Sequence, residues 1–88
     1  MVKVTERAGK FLAAVLAATR AGKGCCVRLD LSGRGFSLDR ERPGDEVVRF
    51  AGKKVLALDP YTAETCGNRT LDWNDQAFYL ANSWELEN

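Results

Sequence analysis

Gly24-Cys-Cys-Val-Arg-Leu-Asp-Leu-Ser-Gly-Arg-Gly-Phe-Ser-Leu38 decides how the chain is read. Cys25, Val27, Leu29 and Leu31 fall on one side of an extended backbone, and Cys26, Arg28, Asp30 and Ser32 on the other. Alternation of that length predicts a half-buried strand. Gly33 and Gly35 then bracket Arg34 and supply the backbone freedom that a tight turn needs. Phe36 and Leu38 resume the apolar face, so the stretch predicts strand, turn and strand.

Upstream, the sequence predicts an amphipathic helix. Thr5 is placed to cap it, Glu6 sits in its first turn, Arg20 is expected in its last turn, and Gly22 ends it. Ala8, Phe11, Leu12, Val15, Leu16 and Thr19 recur at three- and four-residue spacing and form one apolar stripe, the face of a lid on a sheet. Val2 and Val4 alternate around Lys3 and predict a short edge strand.

Downstream, Asp39 to Asp45 is polar, is broken by Pro43-Gly44, and reads as a loop. Glu46 to Phe50 and Lys54 to Leu58 predict a hairpin turning at Ala51-Gly52-Lys53. Asp59 before Pro60 predicts the cap of a short helical turn reaching Thr65, followed by a turn at Cys66-Gly67-Asn68-Arg69. Two short strands, Thr70 to Trp73 and Ala77 to Ala81, complete the pattern. The expected class is α+β, mainly β: an N-terminal helix packed on a small mixed β sandwich or barrel of six to seven short strands. Residues 1–82 are expected to form a single domain, with 83–88 as a C-terminal tail.

Bulk properties narrow the function classes. The 88 residues suit one domain, and 13 Lys and Arg against 12 Asp and Glu are scattered without a block of one sign. Nucleic-acid binding is therefore not expected. No stretch reaches the roughly 18 apolar residues of a membrane span, and no export signal is legible, so a cytoplasmic protein with reduced thiols is expected. Histidine is absent, which removes the commonest neutral-pH base and metal ligand. The carboxylates Asp30, Asp39, Asp45, Asp59, Asp72 and Asp75 have no legible partner base, and Gly33-Arg34-Gly35 is too short for a phosphate loop. An enzyme is not expected.

Taken in order, these pieces resemble the HesB/IscA-like domain, the family of A-type iron–sulfur carriers. The resemblance rests on Val2-Lys-Val-Thr-Glu-Arg-Ala8, Cys26-Val-Arg-Leu-Asp-Leu31, Gly44-Asp-Glu-Val-Val48, Gly52-Lys-Lys-Val-Leu-Ala-Leu-Asp-Pro60, Leu71-Asp-Trp73 and Phe78-Tyr-Leu-Ala-Asn82. It implies that family's fold. The family's cluster is held by one cysteine in a glycine-rich turn and a later Cys-Gly-Cys. Here Gly33 stands where the turn cysteine is expected, and no Cys-Gly-Cys follows. The resemblance thus implies a degenerate member with no metal ligands and no cofactor of its own: a non-catalytic accessory or adaptor of iron–sulfur biogenesis.

Partner contact is expected at Ser32, Gly33, Arg34 and Gly35, where a projecting guanidinium can pair with a carboxylate, and at Trp84 in the tail. Protein partners of iron–sulfur assembly are expected, with a homodimer also open. Two other readings stand beside this one. The first is an iron or cluster carrier using Cys66 or Cys25 across a dimer, Cys66 being the thiol expected to be most exposed. The second is an interaction domain unrelated to iron. Cys25 and Cys26, adjacent in a strand, point to opposite faces and cannot converge on one ion.

Overall fold

The structure is a computed structural model and describes residues 1–20, 22–33 and 35–82. The element order among these residues is β1 (Lys3–Val4), α1 (Glu6–Ala18), β2 (Cys25–Asp30), β3 (Gly35–Arg40), β4 (Glu46–Phe50), β5 (Lys53–Leu58), α2 (Pro60–Cys66), β6 (Thr70–Trp73) and β7 (Phe78–Ala81). The strands form two mixed sheets, one of four strands in the order β3-β2-β5-β4 and one of three in the order β1-β6-β7. Within them β2–β5 and β1–β6 run parallel, and the other pairs antiparallel. This is the expected α+β, mainly-β class, and Val4 with Lys3 makes the expected edge strand.

Helix α1 packs on both sheets and buries Ala8, Gly9 and Leu12. Leu12 joins Val2, Val27, Leu29, Val48, Val55, Leu56, Leu58, Cys66 and Leu71 in one core. Thr5 caps the helix as expected, accepting from the Ala8 amide at 3.2 Å. The C-terminal end differs. The helix stops at Ala18 with Thr19 as its cap, and no basic residue lies in the last turn. Arg20, expected inside it, follows at φ +52, and this left-handed residue turns the chain before Gly22 is reached. Gly9 belongs to the buried stripe for a reason that periodicity does not reveal. A Cβ built there would lie 2.3 Å from Cδ1 of Phe50, so only glycine lets α1 approach β4 this closely.

The central strands depart from the half-buried pattern. Cys26, Val27, Arg28 and Leu29 are all buried, so β2 is covered on both faces. Val55 to Leu58 of β5 are likewise fully buried, a continuous apolar run suited to a strand inside a mixed sheet. Burial on both faces is tolerated at Arg28 because its guanidinium pairs side-on with Asp45, at 3.2 Å through Nε and 3.0 Å through Nη2. Hydrogen bonding to Asp45 raises the Arg28 pKa above its ordinary value. β3 runs two residues further than expected, taking in Asp39 and Arg40, which had been read as loop. The β4–β5 turn is two residues long, Ala51 at φ +52 and Gly52 at φ +81. Positive φ at both is the geometry of the hairpin turn that follows the natural strand twist.

A second buried carboxylate fastens the small sheet to the helix. Asp72 of β6 accepts hydrogen bonds from the Thr5 hydroxyl, from Arg7 Nη2 at 2.6 Å, from the Tyr79 hydroxyl at 2.6 Å and from the Trp73 amide at 2.8 Å. Burial pushes this carboxyl up, but the four donors outweigh it and hold Asp72 well below the usual carboxylate range. Thr5 therefore does two jobs, capping α1 through its lone pair and donating its proton to β6.

Candidate functional site

The turn between β2 and β3 is built by Asp30. Its Oδ1 accepts from the Ser32 amide at 3.0 Å and the Ser32 hydroxyl at 2.8 Å, while its carbonyl accepts from the Gly33 amide at 3.4 Å. An aspartate that bonds the backbone two residues on is a local turn-maker. From the other side Thr62, fully buried on α2, accepts the Leu31 amide at 2.9 Å. Thr62 is placed there by the cap of its own helix, since Asp59 accepts the Thr62 amide. The turn is thus held by an aspartate below and by α2 behind.

Of the expected partner-binding residues, the structure brings Ser32, Gly33 and Gly35 together on this turn, with Ser32 and Gly33 exposed. Arg34 and Trp84 lie outside the described residues. Gly35 adopts φ +72 with open space around its Cβ direction, so glycine is required there by the backbone alone. Gly33 is different. A Cβ there would meet Asp30 Oδ2 at 3.0 Å, so any side chain at this position presses on a carboxylate.

Of the thiols, Cys66 is placed otherwise than expected. Cys66 is the last residue of α2, not part of an exposed turn, and is only 2% exposed within the core. Cys26 is fully buried with its sulfur 3.6 Å from the Asp39 carbonyl, and Cys25 is half-buried. Burial pushes the Cys26 and Cys66 thiols up, away from the thiolate that binds metal or acts as a nucleophile. Among the described residues no three cysteine, aspartate or glutamate side chains gather as a metal site.

Beside the turn lies a feature the sequence reading missed. Phe36 and Leu38, expected to complete a buried face, are 42% and 45% exposed. They sit opposite Leu29 and Val27, on the core side of the sheet, yet β3 overhangs the helix that covers its neighbours. The overhang opens an apolar groove of about 240 Å³ lined by Phe11 and Val15 of α1, Phe36 and Leu38 of β3, and Phe78 of β7. Its aromatic lining residues belong to a cluster that includes Trp73. Phe11 lies on Trp73 with centroids 3.8 Å apart, and Phe78 touches Phe11, Trp73 and Phe36 at 5.5, 4.9 and 5.0 Å. Trp73 is half-buried. A second shallow apolar groove continues past Leu31, Tyr79 and Leu80.

No family model and no curated protein matches the sequence. Among solved structures, the chain matches the crystal structure of Escherichia coli SufA, described as involved in the biosynthesis of iron–sulfur clusters. The TM-score is 0.67, at 19% identity, over 92% of this chain and 84% of that one. The chain has a SufA-like fold. The likeness is one of overall fold. It places the fold, at that identity, and leaves the chemistry to the residues described above. No helix among the described residues is long and apolar enough to cross a membrane.

Proposed function

We propose that this chain is a non-catalytic accessory protein of iron–sulfur cluster maturation, acting by protein contact and contributing no cluster ligands of its own. The observation that carries the proposal is the β2–β3 turn on a SufA-like fold. At the position where the resemblance calls for a cysteine the turn has Gly33, and a Cβ added there would meet the Asp30 carboxylate at 3.0 Å. A thiolate there would be set against a like charge. The partner surface is Ser32 to Gly35, with Arg34 as an anchor for a partner carboxylate and Trp84 as a second anchor.

The competing reading, an iron or cluster carrier using Cys66 or Cys25 of two chains, would require Cys66 to leave the core where its burial disfavours the thiolate. The test has two parts. Purified protein incubated anaerobically with iron and sulfide is expected to stay colourless; a stoichiometric cluster spectrum lost in Cys66→Ala would establish the carrier instead. Immobilised wild type is expected to retain components of cluster assembly from its host extract. Arg34→Ala, or removal of residues 83–88, is expected to reduce that capture without moving the melting temperature. Undiminished capture by both variants would place the contact elsewhere.

A further inference from the structure

The apolar groove between α1 and β3 has a direction. It is lined on the helix by Phe11 and then Val15, and on the strand by Phe36 and then Leu38. One end is aromatic, since Phe11 and Phe36 both lie against Phe78 there. Continuing past Val15 along the chain leads to Arg20 and Lys23, and continuing past Leu38 leads to Arg40. Arg40 shares the face of Phe36 and Leu38, because it sits opposite Cys25 as they sit opposite Leu29 and Val27. Cys25 opens β2 just after Lys23, so the three cations gather at the other end.

All three are exposed, and none forms an ion pair among the described residues. The carboxylates flanking Arg40 are already engaged. Asp39 lies on the opposite face of β3 and pairs with Arg42, while Glu41 pairs with Lys54. A chain of net charge +1 therefore carries an uncompensated basic mouth on an apolar groove.

We propose that this groove receives a segment of another protein in which large apolar residues are flanked on one side by carboxylates. The apolar side chains lie between Phe78 and Leu38, and the carboxylates meet Arg40, Lys23 and Arg20. The proposal does not rest on the functional reading above, whose contact surface is the β2–β3 turn. Size selects a polypeptide over a small ligand. At about 240 Å³ the groove is smaller than the roughly 300–1,000 Å³ of pockets that enclose small molecules, and it is open to solvent. Beyond Phe36 and Phe78 it meets the second groove, which those two residues also line. Shallow apolar recesses in series suit successive anchors of one peptide. The basic mouth then fixes which way round the peptide lies and speeds its encounter.

Random short peptides displayed on phage and selected on the immobilised protein test this directly. Enriched sequences are expected to combine Leu, Ile, Phe or Trp with Asp or Glu to one side. Leu38→Ser and Arg40→Ala are each expected to weaken the best peptide about tenfold or more in fluorescence anisotropy, as loss of an anchor does. Both side chains are exposed, so circular dichroism should not change. Tyr61→Ala, exposed on α2, should leave the affinity as it is. Absence of enrichment overturns the proposal, as do enriched peptides without carboxylates or an affinity indifferent to Leu38→Ser and Arg40→Ala. Sequences matching this chain's own segments overturn it in favour of a second copy, and uptake of laurate tighter than any peptide overturns it in favour of an acyl chain. Should Leu38→Ser fail to fold, amide chemical shifts of the wild type decide: peptide must move Val15, Leu38 and Arg40, and shifts confined elsewhere reject the groove.

Discussion

Arg7 and Asp72, 65 residues apart, meet with Nη2 2.6 Å from Oδ2, although Arg7 is exposed and Asp72 is almost completely buried. The asymmetry decides what each contributes. Removing Arg7 takes one arm from a carboxylate that keeps Thr5, Tyr79 and the Trp73 amide. Removing Asp72 strands several donors and uncouples β6 from the helix cap. Asp72→Ala is therefore expected to lower unfolding free energy by about 2–3 kcal/mol, as lost hydrogen bonds to a charged group do. Arg7→Ala should cost clearly less because its half of the pair is solvated. Chemical denaturation of both variants measures the difference.

The same carboxylate sets an acid limb of stability. Asp72 is held below its ordinary range in the fold, so its contribution is complete above the unfolded aspartate value near about 3.9 and is lost as pH falls below it. Wild type should lose stability steadily from about pH 4 downward. Asp72→Asn should be less stable at neutral pH and show a flatter profile across that acid window. Equal slopes for the two proteins would remove Asp72 from the account.

Arg28 and Asp45 present a harsher case, since both side chains are buried. Asp45→Ala leaves an unpaired guanidinium between β2 and its surroundings and should cost about 3–5 kcal/mol. Replacing both, as Arg28→Met with Asp45→Leu, removes the stranded charge and should recover most of that loss. A double substitution no better than Asp45→Ala would mean that the pair is worth more than its burial costs.

At the β4–β5 turn, Ala51 holds a left-handed backbone that asparagine, whose short polar side chain can hydrogen-bond locally, adopts more readily than alanine. Ala51→Asn keeps the turn and should raise stability by roughly 1 kcal/mol. Gly52→Ala, at φ +81, should lower it by a similar amount. Thermal melts of the two single variants check both signs.

Gly9→Ala should destabilise the protein even though alanine is the better helix former. The gain in helix propensity is about 1 kcal/mol, whereas forcing the Phe50 ring from a Cβ 2.3 Å away costs about 1–3 kcal/mol by overpacking. In a Phe50→Leu background the penalty should shrink. The double-mutant cycle on Gly9 and Phe50 reads that coupling directly.

Much of this architecture was legible because local chemistry and global packing agree. Thr5 and Asp59 announce their helices by capping, Ala51-Gly52 announces its hairpin, and Val2 to Val4 its strand. The failures fall where long-range contacts override a local pattern. Arg28 occupies a polar position in an alternating strand, and only the arrival of Asp45, 17 residues later, turns that face into interior. Cys66 stands next to a glycine turn, yet α2 extends one residue further and carries it into the core. Phe36 and Leu38 alternate just as buried residues do. Whether the helix reaches far enough to cover them depends on where α1 lies, which no spacing in β3 encodes.

The parallel pairing of β1 with β6, Lys3 against Thr70 and Val4 against Leu71, sets an order on how the protein can be made. The strand synthesised first has its partner near the far end of the chain, and the Thr5 cap has its Asp72 acceptor there as well. At ribosomal speeds of about 5–20 residues per second, the N-terminus waits roughly 3–13 s for β6 to be translated. Before then the helix has no small sheet to lie on, and its apolar stripe is open to solvent or to a chaperone. Nascent chains stalled before Thr70 should therefore remain protease-sensitive throughout. Those extended far enough for Ala81 to clear the exit tunnel should become resistant in a single step, because β6 is the strand that holds both β1 and β7.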